Sequence, residues 1–212
     1  LATHTHVDHS PGCVAAAAAF GAEVLGRRPA HAQGQDATFA PEREPQHGER
    51  LVLGPGARLR AIHTPGHASN HLCWLLEEEK LLFTGDHVMQ GSTVVINPPD
   101  GDMSAYLRNL QALLDEDLDW LAPGHGFLVA QPHAVLRALI AHRLRREAKV
   151  VDALRLRGTA TLDELLPEVY ADTPPRLHPV ARRSLLAHLL KLRDDGRAAD
   201  EGGDCWRWQG GA

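Results

Sequence analysis

The chain has 212 residues, is 43% hydrophobic and 23% charged, and carries a net charge of −5. That length supports one substantial core, or a core with a small appendage, and the composition excludes a disordered or fibrous chain. Residues 1–135 hold 8 Lys/Arg against 16 Asp/Glu and residues 136–212 hold 14 against 11, so a mildly basic tail follows an acidic body, short of the footprint of a dedicated nucleic-acid binder.

No apolar run approaches the roughly 20 residues of a membrane span, and no signal peptide opens the chain. Cys13, Cys73 and Cys205 are far apart, with no CxxC. This pattern argues against a disulfide scaffold and for a reducing, cytoplasmic setting.

In chain order, Leu1-Ala2-Thr3 reads as the end of a strand. Ser10-Pro11-Gly12 reads as a helix start, with Ser10 as N-cap, and the alanine-rich Cys13–Phe20 as the helix. Ala22–Leu25 is a predicted short strand, and residues 27–50 a long polar loop. Leu51–Leu53 and Ala57–His63 are predicted strands around Gly54-Pro55-Gly56. A turn-rich loop, Thr64–His71, follows. Leu72–Glu77 and Lys80–Thr84 are predicted strands, and Thr93–Ile96 another short one. Asp102–Leu114 has apolar residues at helical spacing. Asp119–Ala122 is a short strand. The alternation of strands and helices predicts an α/β layered fold.

Beyond it, Gln131–Arg157, Thr161–Tyr170 and Pro179–Asp194 are predicted helices, and Ala198–Glu201 with Cys205–Gln209 a two-stranded ribbon. Three helices followed by a ribbon is the order of a winged helix. Cys73, Trp74, Trp206 and Trp208 read as packing residues.

The densest chemistry lies in Thr3-His4-Thr5-His6-Val7-Asp8-His9. In extended backbone, His4, His6 and Asp8 fall on one side and His9 on the other, which lets the stretch serve two neighbouring points. Imidazole and carboxylate are the donors that zinc and similar metals take. His67, Asp86 and His125 follow in glycine-rich turns after predicted strands, where loops carry functional groups.

Taken in this order, these residues resemble the metallo-β-lactamase superfamily: HxHxDH, a His in Pro65-Gly66-His67, an Asp in Gly85-Asp86 and a His in Pro123-Gly124-His125. The resemblance implies an αββα sandwich over 1–135, N-terminally truncated because strands and a helix ordinarily precede the first motif, and a small winged-helix domain over 136–212. It implies an exposed edge where those strands are missing. It further implies two Zn2+ ions, one held by His4, His6 and His67, the other by Asp8, His9 and His125, with Asp86 bridging. Asp8 and Asp86 would also serve catalysis, and His71 and His87 would orient ligands or protonate a leaving group.

Thr84-Gly85-Asp86-His87, Gly91-Ser92-Thr93, the helix from Asp102 and the tail look like the β-lactamase-like protein 2 group, which includes an endoribonuclease. The expectation is a zinc-dependent phosphodiesterase acting on single-stranded RNA. The alternative is a thioester or lactone hydrolase similar to glyoxalase II, with a small acyl substrate. No membrane partner is expected. The third C-terminal helix could cover the active site or make a homodimer contact.

Overall fold

A computed structural model describes residues 1–210. Six strands form one sheet in the order β1-β2-β3-β4-β5-β6: Arg50–Gly54, Ala57–His63, Leu72–Leu76, Leu81–Gly85, Trp120–Pro123 and Val129–Ala130. Strands β1 to β4 form an antiparallel meander. The β4–β5 pair is parallel, which requires a crossover. Residues 86–119 supply it and contain helix α2, Met103–Ala112. Asp102 caps α2 by accepting from the Ala105 N–H at 2.9 Å.

Strand β3 is buried on both faces, so it reads as an unbroken apolar run. Its Cys73 and Leu75 join Tyr106, Leu110, Leu121 and Leu136 in the main core. Leu72 and Trp74 face Leu59 and Ala61 on the other side. The first residues are pinned here. Leu72 N–H donates to Thr3 O at 2.7 Å, and Trp74 Nε1 donates to Ala2 O at 3.2 Å. At the sheet's far edge, Val52 and Leu53 on β1 are exposed.

Several local expectations are corrected. Ala22–Leu25 forms no strand; Leu25 makes a single parallel bridge with Arg43. Leu1–Thr3 and Thr93–Ile96 are irregular. Helix α1, Gly12–Phe20, has Pro11 as N-cap without a side-chain cap. The Ser10 hydroxyl instead donates to Asp36 Oδ2 at 2.8 Å, because a residue of the long loop competes for it.

Helix α3, Pro132–Arg157, leaves the sheet with Leu136 and Leu139 in the main core and enters a second core with Val150, Ala153 and Leu154. That second core holds helices α4, Leu162–Val169, and α5, His178–Asp194, together with Trp206. Strands β7, Thr159–Thr161, β8, Ala198–Gly202, and β9, Cys205–Trp208, form a sheet in the order β7-β9-β8. The sequence reading missed β7. A Thr161–Glu164 capping box starts α4. No helix among the described residues is long and apolar enough to cross a membrane.

Candidate metal centre

The seven predicted ligand residues come from four places and meet at one end of the sheet. His4, His6, Asp8 and His9 arrive on the N-terminal stretch. His67 arrives on the loop after β2, Asp86 at the end of β4, and His125 after β5. Three groupings place ligand atoms within 4.8 Å of one another: His4, His6 and His67; His4, His9 and Asp86; Asp8, His9 and His125. Asp86 looks both ways. Its Oδ2 lies 3.7 Å from His67 Nε2, and its Oδ1 lies 3.4 Å from His9 Nε2 and 3.6 Å from His125 Nε2.

Two glycines make this convergence possible. Gly85 has φ +47°, and a Cβ there would lie 2.8 Å from His71 Nε2. Only glycine meets both conditions cheaply. A Cβ on Gly124 would lie 2.8 Å from His9 Cε1 and 3.0 Å from Asp86 Oδ1, so the turn carrying His125 must pass bare against two other candidate ligands.

The donor set and its spacing fit transition-metal coordination. At metal–nitrogen distances of about 2.0–2.1 Å, tetrahedral ligands sit roughly 3.3 Å apart. Here His6 Nδ1 is 3.0 Å from His67 Nε2. His9 Nε2 is 3.2 Å from His125 Nε2, and His125 Nε2 is 3.3 Å from Asp8 Oδ2. His4 Nε2 and Asp86 Oδ1 are buried without a hydrogen-bond partner among the described residues. Such atoms cost about 1–3 kcal/mol each, and a cation in the cluster would satisfy both.

The protonation states of His4, His6 and His67 favour the same use. Burial, then the neighbouring histidines, drives the His4 imidazole far below its ordinary range. Burial pushes His67 down to about 4 and lowers His6. These rings are neutral at pH 7 with lone pairs to give. The His67 tautomer is set: its Nδ1–H donates to Val95 O at 2.8 Å, leaving Nε2 for the cluster. For Asp86, burial acts to raise the carboxyl, but His9 and the charges of His67, His9 and His125 outweigh it and hold the group below its usual value. For His9, burial opposes protonation, and Asp86 with Asp8 outweighs it in the other direction.

His71 and His87 are both fully buried. Of the two roles expected of them, this burial suits orienting the ligands. His71 is held at both nitrogens. The Asp86 N–H donates to Nε2 at 3.2 Å, and Nδ1–H donates to Thr64 Oγ1 at 2.9 Å. The Thr64 hydroxyl then reaches Cys73 Sγ at 3.3 Å, and the Cys73 thiol donates to Thr84 O at 3.7 Å. This chain begins and ends in the Thr84-Gly85-Asp86 turn. Burial pushes the Cys73 thiol up to about 12, so it is an inert link. Burial lowers His87 to about 3; its ring packs against Tyr106, and neither nitrogen has a hydrogen-bond partner among the described residues.

The sequence reading missed the support beneath His4 and His6. Thr5 Oγ1 donates to Gln35 Oε1 and accepts from Asn70 Nδ2, each at 2.6 Å. Gln35 Nε2 donates to Asp100 Oδ2 at 2.9 Å. Gln35 lies in the aperiodic loop 27–50, where no local signal marks it. The alternation of Thr5 between His4 and His6 was the one available clue.

The cluster is half buried and half open. The His4, His67 and Asp86 side is closed, whereas the Asp8 and His125 side chains are 57% and 45% exposed. Val7 and Phe127, beside these two, are 65% and 80% exposed.

Known proteins resemble this chain in sequence and fold. Residues 1–125 match the family model of the metallo-beta-lactamase superfamily, and residues 161–208 match that of the beta-lactamase associated winged helix domain. The chain is 35% identical over 181 residues to an atrochrysone carboxyl ACP thioesterase of Aspergillus chevalieri, covering 78% of this chain and 57% of that one. It is 30% identical over 161 residues to a beta-lactamase-like protein 2 homolog of Caenorhabditis elegans, covering 76% of this chain and 53% of that one. The chain thus spans about half the length of these curated relatives. The crystal structure of a metallo-beta-lactamase family protein from Thermus thermophilus superposes with a TM-score of 0.68 at 27% identity, over 80% of this chain and 56% of that one. With the family model matching more than half of its residues, the chain belongs to the metallo-β-lactamase superfamily and carries a C-terminal winged-helix domain.

Proposed function

We propose that the chain is a dinuclear, zinc-dependent acyl hydrolase acting on a thioester. The observation that carries the choice of substrate is the character of the open side. Val7, next to Asp8, and Phe127, two residues after His125, are exposed apolar side chains. The charges acting most strongly on His4, His6, His9, His67 and Asp86 come from other histidines and from Asp8, Asp86 and Asp100, with no lysine or arginine among them. A polyanion would gain little there, because phosphate binding draws on basic side chains. An acyl chain would cover apolar surface. The thioesterase name of the Aspergillus relative supports this reading.

Bound at His4, His6 and His67 and at Asp8, His9 and His125, with Asp86 between, two ions would supply an activated water near neutral pH and a counter-charge for the developing oxyanion. The chain's own contribution is positional. Asp8, the more exposed carboxylate of the cluster, would orient the attacking water and accept its proton. His71, itself held by Thr64, holds the Asp86 backbone, and the exposed Val7 and Phe127 would take the acyl group.

RNA cleavage is the second reading, favoured by the winged-helix match and by the likeness to a beta-lactamase-like protein 2 homolog. One assay separates the two. The metal-loaded chain is given an acyl N-acetylcysteamine thioester and a short fluorescent single-stranded RNA, beside its Asp86→Ala variant. Thioester cleavage lost in the variant, with RNA intact, is expected. RNA cleavage without thioester turnover overturns the proposal in favour of the nuclease. A reducing cytoplasm would suit the three free cysteines.

A further inference from the structure

Between the GD turn and α2, three consecutive residues of an irregular loop are each held by a different element. The Val94 carbonyl accepts from Nη2 of Arg143 on α3. The Val95 carbonyl accepts from Nδ1 of His67 at 2.8 Å. The Ile96 N–H donates to Oγ of Ser184 on α5 at 3.4 Å. Val94, Ile96, Arg143 and Ser184 are all buried. These residues belong to no strand, so no ladder fixes the loop, and the outer two bonds locate the middle one.

The middle bond decides the use of His67. Its Nδ1–H needs an acceptor, and the position of that acceptor sets the ring's rotation and hence where Nε2 points. Arg143 bears on His67 from a second side as well. Its guanidinium lies 5.3 Å from the centre of the Tyr106 ring. The Tyr106 hydroxyl donates to His87 O at 3.0 Å, and the Tyr106 backbone packs against Gly66, the residue before His67. Both partners of the loop therefore lie on helices of the C-terminal half, while the group they steer belongs to the sheet end.

We propose that Arg143 and Ser184 are positioning residues for His67, acting through Val94–Ile96, so that helices α3 and α5 set the metal affinity of the centre. Neither touches a reacting atom. The proposal rests on reading the His/Asp cluster as a metal centre.

The test uses the whole chain in five forms: wild type, Ser184→Ala, Ser184→Thr, Arg143→Ala and Arg145→Ala. Arg145 is exposed on α3 and serves as the control. Three quantities are measured: Zn2+ affinity by competition with a chromophoric chelator, the visible spectrum of the Co2+-loaded chain, and the melting temperature after chelation. Loss of an orienting partner typically weakens metal binding 10–100-fold. Acting one residue further out, Ser184→Ala and Arg143→Ala should weaken it roughly threefold to tenfold and alter the Co2+ spectrum. Ser184→Thr, which keeps the hydroxyl, should restore most of both, and Arg145→Ala should match wild type. Ser184→Ala removes one oxygen, so it carries the test even if Arg143→Ala does not fold. A lowered melting temperature with wild-type affinity and spectrum overturns the proposal and leaves the metal centre standing. A wild-type chain that takes up neither Zn2+ nor Co2+ overturns the metal centre and this proposal with it.

Discussion

At the residue scale, His71 and His87 show how burial selects among the uses of a histidine. His71 keeps two hydrogen bonds and holds the Asp86 backbone through one of them. Replacing it with alanine leaves that N–H buried and unpaired, at about 1–3 kcal/mol. His71→Ala should therefore lower the melting temperature and also weaken metal uptake, read by chelator competition. Burial also sets a pH response. The folded chain holds His67 near 4 and His87 near 3, against an ordinary 6.5. Between those values the unfolded chain binds protons that the folded chain refuses. The stability these neutral rings contribute is present above about pH 6.5 and is lost as pH falls toward 3–4. A series of calorimetric melts on the chelated chain should show the midpoint falling across that window, and a flat profile would contradict the assignment. The sequence made the ligand types and their order legible, because His and Asp at fixed spacing have few other uses. It did not make Gln35, Val95 or Asp100 legible, since their roles come from backbone carbonyls and long-range contacts that leave no local pattern.

At the scale of elements, strands and helices with strong periodicity were readable, and competition for side chains decided the failures. Ser10 has the chemistry of an N-cap but donates to Asp36. Ala22–Leu25 has a strand's apolar content but lacks a neighbour beyond the bridge to Arg43. Strand β7 is three residues long and was hidden between two helices. Its last residue also opens α4, where Thr161 Oγ1 accepts from the Glu164 N–H and Glu164 Oε2 accepts from the Thr161 N–H. The T-x-x-E spacing was present in the sequence as a signal for that cap. Thr161→Ala should cost about 1 kcal/mol by removing one half of the box. A urea melt followed by circular dichroism measures it, and metal stoichiometry should stay unchanged because α4 lies in the second core.

Across the whole molecule, α3 is the shared member. At about 1.5 Å per residue its 26 residues span roughly 39 Å, and it contributes to both cores. The elements of the two cores were legible separately: predicted strands around the sheet, and three helices followed by a ribbon for the tail. How they join was not, because nothing in the spacing of Gln131–Arg157 marks Arg143 as an arginine that turns inward. Leu154 lies fully buried in the second core. Leu154→Ala should destabilise by about 2–5 kcal/mol while the chain still binds its metals at 25 °C. A calorimetric scan beside elemental analysis of the gel-filtered protein checks both halves of that statement.

The pin between Thr3 and Leu72 has a further meaning when the N-terminal stretch is treated as a signal with a phase. His4 and His6 face the cluster while Thr5 faces Gln35 and Asn70, and the Leu72–Thr3 bond fixes where that alternation starts. A frame error of one residue would present threonines where imidazoles belong. One alanine inserted between Thr3 and His4 changes no ligand and removes none, yet it should abolish metal binding more completely than His6→Ala does. Equilibrium dialysis of the two variants side by side would reveal whether the site depends on its ligands alone or on the phase in which they are delivered.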